Sequence, residues 1–500
     1  MIDALWNLIG DDLPALQIAM PLLTATVCIL VRRPMLAWAV AMFNAWGAVV
    51  NASILLYRVW TSGTISYVEG GWPVPWGIEL RIDLLNALVL LVVTGICAVV
   101  LIAVPRSIAN EIPKEKHHYF YAAYLLCMTG LAGMTVTGDA FNIFVFLEIS
   151  SLSSYALISQ GRTSRALTSA IQYLIMGTLG GTFILLGIGM IYMMTGTLNI
   201  VDMANQLALL GPNRTVLVAM ACLGVGIGIK LAVFPLHIWL PNAYTYAPAV
   251  VTAFLAATAT KVAYYVLVRF AFSVFRINVT FDSAHTGAVL MSLGLAAMFV
   301  GSLVAIYQDN VKRMLAYSSV AQIGYMVLGL SFANEYGLTG GLVHVFNHAI
   351  MKCGLFLVLA CVLLRTGSTR LSAFEGLGRR MPLTFAAFVV GGLSMVGVPL
   401  TVGFVSKWYL VLGALEAGLW PVAVLILVSS ILALVYIWRV VEVGYFKAPP
   451  EGSEAVTEAP FSMLLPTWIL IGSTVVFGVW TSLSAGVASA AARMLIGGGS

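Results

Sequence analysis

Glu148, Lys230, Lys261, Lys352 and Lys407 each lie inside a long apolar stretch of a 500-residue chain. The chain is 61% hydrophobic and only 9% charged, so these five side chains stand out. An ionisable group at mid-membrane costs roughly 2.5–3.5 kcal/mol on insertion scales, and the usual reason to keep one there is movement of charge. Glu148 has no basic residue nearby in sequence. A buried carboxylate needs a partner or takes up a proton, which makes Lys230, on another segment, its natural mate. A purely structural salt bridge is the alternative. Lys261 sits about a dozen residues from either end of its segment, too deep to snorkel. A desolvated lysine can exchange a proton near neutral pH. His344, His348 and Lys352 are spaced four apart and so share a helix face. Imidazoles titrate near physiological pH, so this is a candidate proton-conducting stripe. The same spacing could hold a metal, but there is no third ligand and no HExxH pattern, so no metal or cofactor is expected. Lys352 is the weakest relay candidate, since it could merely anchor a kink at Gly354.

Lys407 follows a Pro399–Gly403 break and reads as a relay or terminal exchange site. His237, just after Pro235, is a supporting candidate. Asp139 opens a segment as a helix cap or a channel mouth, and Asp83 reads as a cap. His117 and His118 fall in a charged loop and read as solvated. Lys312, Arg313, Glu451, Glu454 and Glu458 read as ordinary surface charge. The six cysteines all lie in apolar segments without CxxC or zinc spacing, so they read as packing residues.

What must position these groups is a helix bundle. A spanning helix needs about 20 mainly apolar residues, and about fourteen such segments can be placed, joined by short loops. They centre on 13–31, 35–57, 83–104, 119–137, 139–160, 166–195, 215–240, 247–271, 286–307, 312–333, 337–365, 384–416, 421–446 and 462–492. Runs this long exclude a barrel, leaving an all-α integral membrane protein. No sizeable soluble domain fits, and the net charge of +5 makes no basic patch for nucleic acid. The first apolar run is expected to be a retained helix, because Asp3, Asp11 and Asp12 stand where a signal peptide would be basic.

Fifteen Lys and Arg fall in alternate loops if the N-terminus is outside, against six on the other side. That asymmetry is expected to place both termini on the outer side of the membrane. Proline removes a backbone donor, so Pro235 and Pro399 break the seventh and twelfth segments at mid-depth. Lys230 precedes its proline and Lys407 follows its own. That opposite order, five helices apart, suits an inverted repeat with ion sites at the breaks.

Several runs carry a resemblance. Gly138-Asp-Ala-Phe-Asn-Ile-Phe-Val-Phe-Leu-Glu148 is similar to the fifth-helix motif of the antiporter-like subunits shared by Mrp antiporters and respiratory complex I. So are Lys230-Leu-Ala-Val-Phe-Pro-Leu-His-Ile-Trp-Leu-Pro241 and Asp309-Asn-Val-Lys-Arg-Met-Leu-Ala-Tyr-Ser-Ser319, with His344–Lys352 and Gly397–Lys407 completing the set. The resemblance spans essentially the whole chain. It implies fourteen helices in four parts: 1–118 with helices 1–3, 119–271 and 286–446 as inverted five-helix repeats, and 462–500 as the last helix. It also implies that Glu148 and Lys230 pair in a proton channel, and that Lys261, His344, His348 and Lys407 continue a lateral relay. Within the family, Lys407, the chain end soon after the fourteenth helix, and the Thr195-Gly-Thr-Leu-Asn199 turn look most like the MrpD type of Mrp antiporters.

The resemblance therefore implies a proton-translocating subunit, not an enzyme, of a sodium/proton antiporter. Its partners would be MrpA, MrpB, MrpC, MrpE, MrpF and MrpG, with membrane lipid and protons, and with Na+ as an alternative cargo. Two rivals stay open. One is a NuoN-like pump subunit of complex I or of a membrane hydrogenase. The other is a structural subunit with a non-conducting channel.

Overall fold

The structure, a computed structural model, describes residues 10–211, 213–283, 285–449 and 456–497. Asp3, Glu451 and Glu454 lie outside those residues. In a stretch with no water to satisfy backbone groups, the chain must bond to itself, and it does so as helices. These are α1 (Leu13–Leu30), α2 (Pro34–Ser62), α3 (Leu84–Glu111), α4 (His117–Val136), α5 (Ala140–Ser159), α6 (Ser164–Thr195), α7 (Ile200–Leu210), α8 (Arg214–Leu231), α9 (Trp239–Tyr246) and α10 (Ala249–Val268). They continue as α11 (Thr286–Ile306), α12 (Val311–Ser331), α13 (Glu335–Thr366), α14 (Pro382–Val396), α15 (Val402–Glu416), α16 (Trp420–Phe446), α17 (Phe461–Val479) and α18 (Ser482–Ile496). Among the described residues, 13 helices are long and apolar enough to cross a membrane. The paired half-helices α14 and α15, of 15 residues each, complete the expected fourteenth crossing.

Both expected breaks are present. Between α8 and α9 the chain leaves the helix at Ala232, whose φ is +61°, and runs through Pro235. Between α14 and α15 it passes Gly397 at φ +92° and Pro399. The kink considered at Gly354 is absent, because α13 runs unbroken over 32 residues. Gly354 is a packing position: a Cβ there would fall 2.6 Å from the Ile471 side chain of α17. The last segment, expected as one helix, is instead divided into α17 and α18 around Trp480 and Thr481.

Burial sorts the helices. In an 18-residue apolar stretch of Ala249–Val274 and of Val311–Ser331, 89% of the residues are buried within the chain, against 28% in α1 and 33% in α11. The central helices α3, α10, α12 and α13 are buried on nearly every side, so the polar side chains they carry must find partners inside the bundle. α1, α2, α6, α11 and α16 turn apolar side chains such as Leu30, Phe43, Leu186 and Ile431 outward, as lipid-facing helices do.

Helix starts follow ordinary capping chemistry. Asp83 and Asn86 form a capping box on α3, and Asp139, Asn199, Asn310 and Asn334 cap α5, α7, α12 and α13. Two elements were not foreseen: the short helix α7, between the sixth and seventh segments, and an antiparallel hairpin of β1 (Ile65–Val68) and β2 (Glu79–Ile82), with Ile65 opposite Ile82. Its buried Glu79 accepts from Ser66 Oγ at 2.6 Å and Asn199 Nδ2 at 2.7 Å, binding the hairpin to the start of α7.

Candidate functional site

Glu148 stands near the middle of α5 and Lys230 in the last turn of α8. The helices that bring them together meet through glycine. A Cβ on Gly226 of α8 would fall 2.6 Å from the Gly180 carbonyl oxygen of α6, so only small residues allow this approach. Gly181 of α6 likewise leaves the room that the Glu148 carboxylate occupies. The result is an ion pair of 3.4 Å between Lys230 Nζ and Glu148 Oε1. Lys230 also donates to Ser151 Oγ at 2.7 Å. The ammonium is nearly sealed at 6% exposure, while the carboxylate keeps 25%.

A second group gathers around α12, α13 and the α14/α15 break. Lys407, on α15, reaches back across the break. It donates to the carbonyls of Met395 (3.2 Å) and Val396 (2.8 Å) at the end of α14, and to Ser430 Oγ of α16 at 2.9 Å. Those carbonyls have no next turn to bond to, and the helix dipole points its negative end at them, so a cation belongs there. Lys407 Nζ also lies 4.9 Å from the Tyr325 ring centroid. The Tyr325 ring is 5.7 Å from His344, and His344 stacks on His348 at 5.7 Å, nearly parallel. His344 Nδ1 bonds Ser406 Oγ at 2.9 Å. Neither ring nitrogen of the buried His348 has a hydrogen-bond partner among the described residues. A buried imidazole so placed is satisfied by water or by a group passing through.

Lys261, fully buried on α10, donates to the Ala256 carbonyl at 2.5 Å and lies within electrostatic reach of His344, His348 and Lys352. Lys352 anchors no kink, since α13 has none there. Its ammonium instead donates to Leu315 O of α12 at 2.7 Å and to Ser318 Oγ.

The two groups are not joined by direct hydrogen bonds among the described residues. Between them stands an aromatic cluster: Tyr155 edge-on to Tyr173, Tyr173 stacked on Trp239 at 3.9 Å, and Trp239 edge-on to Tyr244. His237, in the first break, stacks on Phe234 and is half-buried. Asp139 acts as a cap, accepting from Asn142 N at 2.8 Å. It lies outside the span, and burial, against two backbone hydrogen bonds, holds its carboxyl above the usual range.

Several sequence expectations are corrected here. His117 and His118 are buried at the start of α4, not solvated, and His117 Nε2 bonds Ile112 O at 3.0 Å. Lys312 is buried and donates to Ala247 O at 2.6 Å, because the short connection between α9 and α10 folds onto its helix. Arg269, one of the six Lys and Arg assigned to the outer side by sequence, is buried in a bidentate pair with Asp83 at 2.7 and 2.9 Å. Burial pushes the Asp83 carboxyl up, but the Arg269 guanidinium and two capping amides outweigh it and hold it below its usual range. Glu458 accepts from Leu383 N at 2.7 Å and so caps α14. Sequence reasoning missed Ser151, Ser318, Ser406, Ser430 and Tyr325. Of these only Ser151 left a trace, three residues from Glu148 on one helix face.

A many-helix bundle with discontinuous helices and an acid–base–imidazole set in its core defines a multi-pass membrane protein of the ion-translocating class. Residues 137–433 match the family described as "NADH:quinone oxidoreductase/Mrp antiporter, TM", and the chain belongs to that family. It is 44% identical to the N-type subunit of the NADH-quinone oxidoreductase of Desulforudis audaxviator, over 94% of this chain and 96% of that one. It is 29% identical to the D-type subunit of the Na(+)/H(+) antiporter of Alkalihalophilus pseudofirmus, over 94% of each. A chain in the solved Mrp complex from Dietzia sp. superposes with a TM-score of 0.89 at 26% identity, covering 97% of both.

Proposed function

We propose that this chain is the proton-translocating subunit of a multisubunit cation (Na+)/proton antiporter. The observation that carries the reading is the Glu148–Lys230 pair at 3.4 Å, its ammonium nearly sealed, set in the same bundle as the Lys407–Tyr325–His344–His348 line. When Glu148 takes a proton, Lys230 loses its countercharge and its own proton becomes easier to release. That change passes through the aromatic cluster to Lys261, then to His348, His344 and Lys407. Lys352, His237 and Asp139 act as flanking groups. The half-channels open at the two helix breaks, and the five-helix repeats 119–271 and 286–446 are related by inversion, flanked by 1–118 and 462–500. The likeness to the Dietzia Mrp chain supports partners of the MrpA, MrpB, MrpC, MrpE, MrpF and MrpG types. The lysine and arginine asymmetry supports both termini on the outer side, and the likeness to the Desulforudis and Alkalihalophilus chains supports a bacterial cytoplasmic membrane.

A second reading keeps the same residues but drives them from a redox arm, as in complex I. The 44% identity to the Desulforudis oxidoreductase subunit favours it. The subunits that copurify separate the two. Replacing Glu148 by Gln in the intact complex tests both: proton translocation should vanish while assembly persists, and full translocation would refute the proposal.

A further inference from the structure

A cavity at the end of the bundle where the lysine and arginine residues concentrate has no part in the relay described above. Its volume is about 510 Å³. Its polar lining includes Ser107 and Glu111 of α3, Arg162, Thr245 and Lys312 of α12. Glu111 ends α3 and bridges to α10: its carboxylate accepts from Ala249 N at 3.0 and 3.2 Å and from Ser107 Oγ at 3.0 Å. Lys312, buried, faces the same space and donates to Ala247 O at 2.6 Å. The cavity therefore holds a second carboxylate–ammonium site, far in sequence from Glu148 and Lys230.

Its position gives it something to feed. Along α12, Lys312 is followed one turn later by Leu315 and two turns later by Ser318, and both of these bond the Lys352 ammonium. Six residues of helix rise about 9 Å, a gap that a chain of two or three waters spans at about 2.8 Å per link. Beyond Lys352, one turn along α13, lies His348 with both ring nitrogens unpartnered among the described residues.

We infer that Glu111 and Lys312 form a proton-loading vestibule that supplies the central relay through Leu315, Ser318 and Lys352. This rests on the proposed function. It gives Lys352 the role of a junction, and it gives the Lys312 charge a task in place of surface solubility. A proton from vestibule water neutralises Glu111. It then leaves for the Lys352 side, restoring the carboxylate. One proton enters and one departs, and no electrons move. The charge lining also sets the cargo. One carboxylate stands against Lys312 and Arg162, which repels a metal cation, and a hard cation would want several oxygen anions. The vestibule therefore takes protons and leaves any Na+ path elsewhere.

The test uses everted membrane vesicles carrying the intact complex, with proton uptake followed by a pH-sensitive dye. Glu111→Gln keeps an oxygen to accept from Ala249 N, so the junction of α3 and α10 is preserved. A loading group matters most where protons are scarce. The variant should translocate within about twofold of the parent near pH 6.5 but fall about tenfold or more behind it near pH 8.5, a size ordinary for loss of one proton-transfer group. Glu111→Asp should recover most of the loss. An unchanged profile, or an equal loss at both pH values, overturns the inference, the latter pointing to a structural anchor. Glu148→Gln run alongside separates the readings. If it still translocates, the proposed function has failed. If it is inactive while Glu111→Gln is unaffected, only the vestibule has failed.

Discussion

The Glu148–Lys230 pair makes a quantitative prediction about which half of it is harder to strand. At 3.4 Å the two charges attract by about 5 kcal/mol at an effective dielectric of about 20. Most of that offsets desolvation, and breaking a buried pair leaves about 3–5 kcal/mol of uncompensated charge. The partners are not equally buried, at 6% for Lys230 and 25% for Glu148. Glu148→Gln strands the sealed ammonium with neutral acceptors alone, Ser151 Oγ at 2.7 Å and the introduced amide oxygen, and should destabilise by about 3 kcal/mol. Lys230→Met strands a carboxylate that keeps 25% exposure and can stay neutral by taking up a proton, so it should cost less, about 1 kcal/mol. The double variant replaces both charges, so its stability should return to within about 1 kcal/mol of the parent, while transport stays absent. The assay is heat-induced dissociation of the purified complex for all four forms, beside vesicle transport. Additive losses in the double variant, or Lys230→Met as the worse single, would refute the reasoning.

Three further outcomes follow from particular contacts. Gly181→Ala puts a methyl where the Glu148 carboxylate sits, so transport should fall at least about tenfold with every charged residue still present; proton flux in vesicles measures it. Lys407→Ala leaves the Met395 and Val396 carbonyls unsatisfied and should lower complex stability by about 1–3 kcal/mol, whereas Lys407→Arg should hold the break and be closer to the parent in a thermal shift. Asp83, its carboxyl held below the usual range mainly by Arg269 against burial, contributes stability that is fully present above the ordinary aspartate value near pH 4 and lost as pH falls through its depressed folded value. Arg269→Gln should therefore destabilise the complex at neutral pH and flatten that acid-side loss, read from unfolding midpoints across a pH series.

The parts of this molecule legible in the sequence are those where one residue carries the physics alone. Runs of about twenty apolar residues span, and Pro235 and Pro399 interrupt, although Pro21, Pro105 and Pro466 stay within helices. A carboxylate such as Glu148 in hydrocarbon must find a cation. What stayed hidden depends on the meeting of distant segments. Lys312 looked solvated because its neighbours in sequence are Asp309 and Arg313, yet Ala247, 65 residues away, closes over it. Arg269 looked like an outer-side cation because its partner Asp83 is 186 residues distant. Gly354 looked like a hinge beside Lys352, and only the side chain of Ile471 shows why a glycine is there. The serines that hold the lysines are too common on helices for spacing to single them out. The aromatic cluster between the two charged groups is assembled from three separate helices.

The side chain of Lys407 is rooted in one half-helix and fastened to the other. Its three bonds, to Met395, Val396 and Ser430, match the three hydrogens an ammonium has to give. A neutral amine has only two. In the proposed relay, each proton that leaves this atom therefore also removes one of its fastenings to the other half-helix or to α16. Under that reading conduction and elasticity share one nitrogen, so a substitution that stiffens the joint and one that removes the charge should be told apart by how the bundle flexes as well as by how much current it carries.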